Sequence, residues 1–123
     1  MTEVMRTERG WGGHFCAANR CAFRRNTLLE LGDLRVIVSS VGAMRDGHKP
    51  FEMIGCDRYY ETMVFHAKWD KPYWNADVSR EIYFDAPGGI SHCEFSADGE
   101  ANDMHEAVVR EITEKMVTGA ITN

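Results

Sequence analysis

Thr27-Leu-Leu-Glu-Leu-Gly-Asp-Leu-Arg-Val-Ile-Val-Ser-Ser-Val41 is the stretch that decides the fold. Apolar residues alternate through Leu29 and Leu31, and again through Leu34, Val36 and Val38, with Gly32-Asp33 between the two runs. Alternation puts every second side chain on one face of a strand. A Gly-Asp pair between such runs marks a two-residue hairpin, because glycine takes the positive φ that the turn requires. Two antiparallel strands are expected here.

Downstream, a loop rich in Gly, Asp, His and Pro runs from Gly42 to Pro50, and Phe51–Cys56 reads as a short strand. Tyr59–Ala67 is a stronger one, with Tyr59, Met63 and Phe65 on one face and Tyr60, Thr62 and Val64 on the other. Lys68–Pro72 reads as a turn. Val78–Phe84 follows as another strand, with Arg80 intruding among Val78, Ile82 and Phe84. Pro87-Gly88-Gly89 ends the strands, and the period then becomes helical. Ala101, Met104, Val108, Ile112 and Met116 repeat at i, i+3, i+4 spacing from about Gly99 to Thr118. Asp98 or Asn102 can cap the start, Asp103 with Glu106 can form a capping box, and Gly119 can close the end. The expected architecture is α+β: an antiparallel sheet of about 4–6 strands with one C-terminal amphipathic helix packed on it.

The chain has 123 residues, enough for a single domain across 1–123, with 1–10 read as a flexible arm and 10–22 left unassigned. Its hydrophobic share of 44% and charged share of 27% are those of a globular domain. The formal net charge of −5 argues against broad nucleic-acid binding, which needs a basic surface. No stretch approaches the ~18 apolar residues of a membrane span, and the charged N-terminus has no apolar core of a secretion signal. A cytoplasmic location is expected, with Cys16, Cys21, Cys56 and Cys93 as thiols or metal ligands rather than disulfides.

His14, Cys16 and Cys21 place three zinc-type ligands within eight residues, and His92-Cys93 adds two more. There is no second Cys-x-x-Cys pair, and adjacent residues on a strand face opposite ways. Buried cysteines that act as small hydrophobes are the preferred reading, so no metal or other cofactor is assigned. His105-Glu106 lacks the second histidine of a zinc-peptidase helix, since position 109 is Val, and both residues are expected in the first helical turn. No Gly-x-Ser-x-Gly elbow, P-loop or dinucleotide fingerprint is present. Phe23-Arg24-Arg25-Asn26, with Asp57-Arg58-Tyr59-Tyr60, Arg80, Phe84 and Arg110, supplies the aromatics and guanidiniums that a small base-containing anion requires.

The words Trp11-Gly-Gly-His-Phe-Cys16, Phe23-Arg-Arg-Asn-Thr-Leu-Leu-Glu30, Tyr59-Tyr-Glu-Thr-Met63, Asp77-Val-Ser-Arg-Glu81 and Met104-His-Glu-Ala-Val108 look like those of a small phage- or prophage-encoded family. The order of sheet then helix is similar to the first family of Thoeris anti-defence proteins. Those are non-enzymatic sponges that sequester a cyclic ADP-ribose signal of bacterial immunity. The resemblance implies that Phe84 and Arg110 clasp an adenine while Arg24 or Arg25 reaches the phosphates.

Three functions follow as expectations. The first is a non-enzymatic, homo-oligomeric binding protein that sequesters a nucleotide-type signal in the host cytoplasm through Arg24, Arg25, Phe84 and Arg110. The second is an acidic protein–protein inhibitor of a host factor, from the carboxylates between Asp98 and Glu114. The third is a small nucleotide-acting enzyme with His66 or His105 as general base beside Glu61 or Glu106. A second apolar sheet face supplied by Ile37, Val64 and Tyr60 is the motive for an oligomer.

Overall fold

A computed structural model describes residues 3–9, 21–44, 60–83 and 97–123. Five strands, β1 (Met5–Glu8), β2 (Cys21–Leu31), β3 (Leu34–Met44), β4 (Tyr60–Asp70) and β5 (Tyr73–Tyr83), precede one helix, α1 (Ala97–Thr118). The strands form one sheet in chain order, each antiparallel to its neighbour. This is the expected α+β fold.

The β2–β3 hairpin turns at Gly32-Asp33, with Leu31 paired to Leu34 and Gly32 at a φ of 59°. Alternation sorts β3 cleanly. Val36 and Val38 face α1, whereas Ile37 faces away, and all three are buried. A central strand buried on both faces reads as a nearly continuous apolar run, as Leu34–Val38 does.

On the helix side, Leu29, Leu34, Val36, Val38 and Val64 pack against Val108, Val109, Ile112, Met116 and Ile121. The five helix positions expected from the 3.6-residue period are all buried. The helix ends at Gly119, whose φ of 81° turns the chain. There the Gly119 amide donates to the Met116 carbonyl, and that of Ile121 to the Lys115 carbonyl, which returns Ile121 to the core.

The opposite face holds Leu28, Ile37, Phe65 and Ala76, with Met63, Ala67 and Trp74 packed around them. Of the residues expected there, Ile37 is present. Val64 instead belongs to the helix-side cluster, and Tyr60 shares its side of β4, with its ring edge against Phe23 across Gly42. Leu28, Ile37 and Phe65 are buried within the single chain, whereas Trp69, on the same side of β4 as Phe65, is exposed.

Two corrections concern the outer strands. The turn expected at Lys68–Pro72 is confined to Lys71-Pro72, whose peptide bond is cis, and β4 runs on to Asp70 while β5 starts at Tyr73. Along β5 the register slips. Phe65 to Ala67 on β4 is matched by Glu81 to Ala76, so Asp77–Arg80 forms an outward excursion in which Asp77 accepts from the Ser79 amide and hydroxyl. That bulge explains why Arg80 interrupts an apolar pattern and is exposed. Part of the stretch expected as an arm, Met5–Glu8, is strand β1. The sheet also curls: the Arg9 guanidinium, just beyond β1, lies 4.1 Å from the centre of the Tyr73 ring on β5, joining the two outer strands. The expected strand Phe51–Cys56 lies outside the described residues.

Candidate functional site

The helix-side face of the sheet changes from apolar to polar in a single row. Arg25, Ser40 and Thr62 are aligned across β2, β3 and β4, one row from Thr27, Val38 and Val64. Over this row lies His105 of α1, fully buried. Its Nδ1 is 2.7 Å from Ser40 Oγ and its Nε2 is 2.7 Å from Thr27 Oγ1. Ser40 Oγ is 2.5 Å from Thr62 Oγ1, and the Thr27 hydroxyl donates to Glu8 Oε1 at 2.7 Å.

With the imidazole neutral, as its lowered pKa makes it near pH 7, these partners allow one arrangement of protons. A carboxylate only accepts, so Thr27 donates to Glu8 and its oxygen accepts Nε2–H from His105. Nδ1 then accepts from Ser40, whose oxygen accepts from Thr62. The chain runs Thr62 to Ser40 to His105 to Thr27 to Glu8, with a neutral imidazole at its centre. Burial, reinforced by the nearby Arg25 charge, pushes the His105 pKa down to about 4.

Arginines close the network at the surface. Arg25 donates to both Glu8 oxygens at 3.0 and 2.9 Å, to Asn102 Oδ1 at 2.9 Å and to Glu106 Oε2 at 2.6 Å. Arg6 grips Glu106 with two bonds of 2.9 and 2.5 Å. The hydrogen bonds from Arg6, followed by those from Arg25, hold the Glu106 carboxyl down at about 2. For Glu8, burial works to raise the pKa, but bonds from Arg25 and Thr27 outweigh it and the net shift is downward.

The residues named from the sequence separate accordingly. Arg24 and Arg25 are consecutive on a strand, so they face opposite ways. Arg25 faces α1 and is engaged with Glu8 and Glu106, whereas Arg24 is on the far face with Asn26 and Leu28. Arg110 is exposed and makes no ion pair among the described residues. It lines a groove of about 390 Å³ between β1 and α1, with Val4, Arg6, Leu29, Val109, Thr113 and Glu114. Phe84, His14 and Cys16 lie outside the described residues, and Cys21 opens β2. Among the described residues no group of three His, Cys, Asp or Glu side chains could hold a metal ion.

The two histidines considered as bases are placed differently from expectation. His105 and Glu106 occupy the third turn of α1, not the first, because the helix begins at Ala97. The imidazole is sealed with both nitrogens engaged, and Glu106 is locked between two arginines. His66 and Glu61 are five residues apart on β4, which places them on opposite faces. The His66 pKa is lowered by burial and then by Arg80, against the pull of Asp77.

Arg6, Glu8, Thr27, Ser40 and Thr62 were not legible as a site. The signal available was Thr27, Ser40 and Thr62 at alternating positions where apolar residues belong.

The structure defines an α+β protein whose curled five-stranded sheet seats one helix through a buried histidine network. No protein-family model, curated protein or solved structure matches the chain. No helix among the described residues is long and apolar enough to cross a membrane.

Proposed function

We propose that the chain is a non-catalytic binding protein for a small anionic, nucleotide-type ligand held in the groove between β1 and α1. One observation carries this reading: Arg110, which makes no ion pair among the described residues, lines the groove together with Arg6, the aliphatic Val4, Leu29 and Val109, and Glu114. Guanidiniums beside apolar side chains suit a ligand that combines phosphate with a flat ring. Arg25 supports the groove by fixing Glu106 rather than by meeting the ligand. The engagement of His105 and Glu106 favours binding over acid–base chemistry at this flank. In its full form the reading is a homo-oligomeric, phage-type sponge that removes a cyclic ADP-ribose-type signal from the host cytoplasm. Calorimetric titration with cyclic ADP-ribose, ADP-ribose and ATP tests it. Saturable binding that Arg110→Ala weakens at least tenfold, about 1.4 kcal/mol, supports the reading, and no binding by any of the three overturns it.

A second reading, an acidic inhibitor of a host protein, is favoured by the exposed Asp103, Glu111 and Glu114 on the outer side of α1. Recovery of one stoichiometric partner that charge-reversed Glu111→Lys no longer binds tests it.

A further inference from the structure

Among the residues that line the groove between β1 and α1, Glu114 is the one carboxylate. It is exposed and makes no ion pair or hydrogen bond among the described residues, whereas Glu111, three residues earlier, is paired with Lys115 at 3.6 Å. A bare carboxylate is out of place in a site for an anion alone, because the two charges repel. Its presence says something about the rest of the ligand.

Spacing along the helix gives the groove a direction. Glu106, Arg110 and Glu114 are four residues apart in turn, so they follow one stripe of α1 with about 6 Å of rise per step. Arg6 grips Glu106 with two bonds, which brings one guanidinium to the first step. Arg110 supplies a second at the next step, and Glu114 ends the stripe about 12 Å of rise beyond Glu106. Cations gather at one end and a free acceptor stands at the other, with Val4, Leu29 and Val109 lining the same groove.

We infer, resting on the groove reading, that Glu114 is the specificity residue of the site and selects a nucleotide whose base carries an exocyclic amino group. A carboxylate only accepts hydrogen bonds. A base edge with an amino group therefore pairs with it, as glutamate does with the cytosine amine. A base with a carbonyl at that position sets acceptor against acceptor and is rejected. The phosphate lies toward Arg6 and Arg110, and the amino edge points toward Glu114.

Calorimetric titration of the whole chain tests this with two matched pairs. Cyclic ADP-ribose is compared with cyclic inosine diphosphate-ribose, in which oxygen replaces the exocyclic nitrogen. ATP is compared with purine riboside triphosphate, in which hydrogen replaces the amino group. The amino-bearing member of each pair should bind about tenfold more tightly. Glu114→Ala, at an exposed position without a partner, should keep the unfolding midpoint and bring both ratios to about one. Glu111→Ala removes a carboxylate that does not line the groove and should leave the discrimination intact. Equal binding within both pairs overturns the inference and leaves the groove standing as a site for anions. Discrimination that survives in Glu114→Ala also overturns it. A chain that binds neither cyclic ADP-ribose nor ATP removes the groove premise, and the inference falls with it.

Discussion

His105 Nε2 and the Thr27 hydroxyl oxygen are 2.7 Å apart, with both residues fully buried, and this pair couples α1 to β2. Apolar contacts between Ile112, Val108 and the sheet supply most of the attraction but tolerate small slips of the helix. A histidine whose two nitrogens must meet Thr27 and Ser40 tolerates far less, so the polar row selects one seat for α1. The same seat brings Glu106 between Arg6 and Arg25 and presents Arg110 at the β1 side.

Acid sensitivity follows from the neutral imidazole. An unfolded histidine titrates near 6.5, whereas His105 titrates at about 4 in the fold. Between those values the unfolded chain binds the extra proton, so stability is full above pH 6.5 and falls as pH drops, by about 3 kcal/mol at pH 4. The lowered His66 pKa acts with the same sign. Glu8 and Glu106, whose pKa values are also lowered, lose their contributions only below about pH 4.5. Urea unfolding between pH 7.5 and 5 should show the decline beginning near pH 6.5, and His105→Gln should flatten most of it. A wild-type profile level down to pH 5 contradicts the neutral, sealed imidazole.

Arg25 is the hub between two carboxylates, and its side chain is 19% exposed. Arg25→Met leaves Glu8 half-satisfied and removes one of the two arginines from Glu106, with an expected loss of about 2 kcal/mol. Because Glu106 is itself partly exposed, its coupling to Arg25 is smaller, on the order of 1 kcal/mol. A double-mutant cycle of Arg25→Met with Glu106→Gln measures that coupling, and a value near zero shows that the ion pair is solvent-screened.

The hairpin and helix were legible because their signals are local. Gly32-Asp33 dictates a turn by backbone conformation, and the Ala101–Met116 spacing reports one buried stripe. The edges were less legible. Met5–Glu8 is exposed at all four positions, so its burial pattern carries no alternation. It joins the sheet through backbone pairing to Thr27–Glu30, which composition does not reveal. The bulge at Asp77–Arg80 breaks the two-residue period and hides the start of β5. The polar network was missed for a related reason: Glu8, Thr27, Ser40 and His105 are far apart in sequence, and only the register of four elements brings them together.

Gly119 should be sensitive to a single methyl group for a backbone reason alone. Its φ is 81°, and an added Cβ would meet nothing within 4 Å. Gly119→Ala is therefore expected to cost about 1 kcal/mol, through left-handed strain rather than a clash. Thermal unfolding of that variant checks it, with Ala120→Gly as a nearby control that should leave the C-cap intact.

Arg6 and Arg110 line the same groove but differ in what else they hold, and that difference separates binding from folding. Arg6 donates two bonds to Glu106, so Arg6→Ala should weaken both ligand binding and stability, the latter by about 1 kcal/mol. Arg110 makes no ion pair among the described residues, so Arg110→Ala should leave the unfolding midpoint within about 0.5 kcal/mol of the parent. The same variant should bind cyclic ADP-ribose at least tenfold more weakly, a loss of about 1.4 kcal/mol. Denaturation and calorimetry on the two variants together read this out. Equal binding losses with unequal stability losses place the anion between the two guanidiniums. A binding loss confined to Arg6→Ala instead makes the groove a structural feature and removes Arg110 from the site.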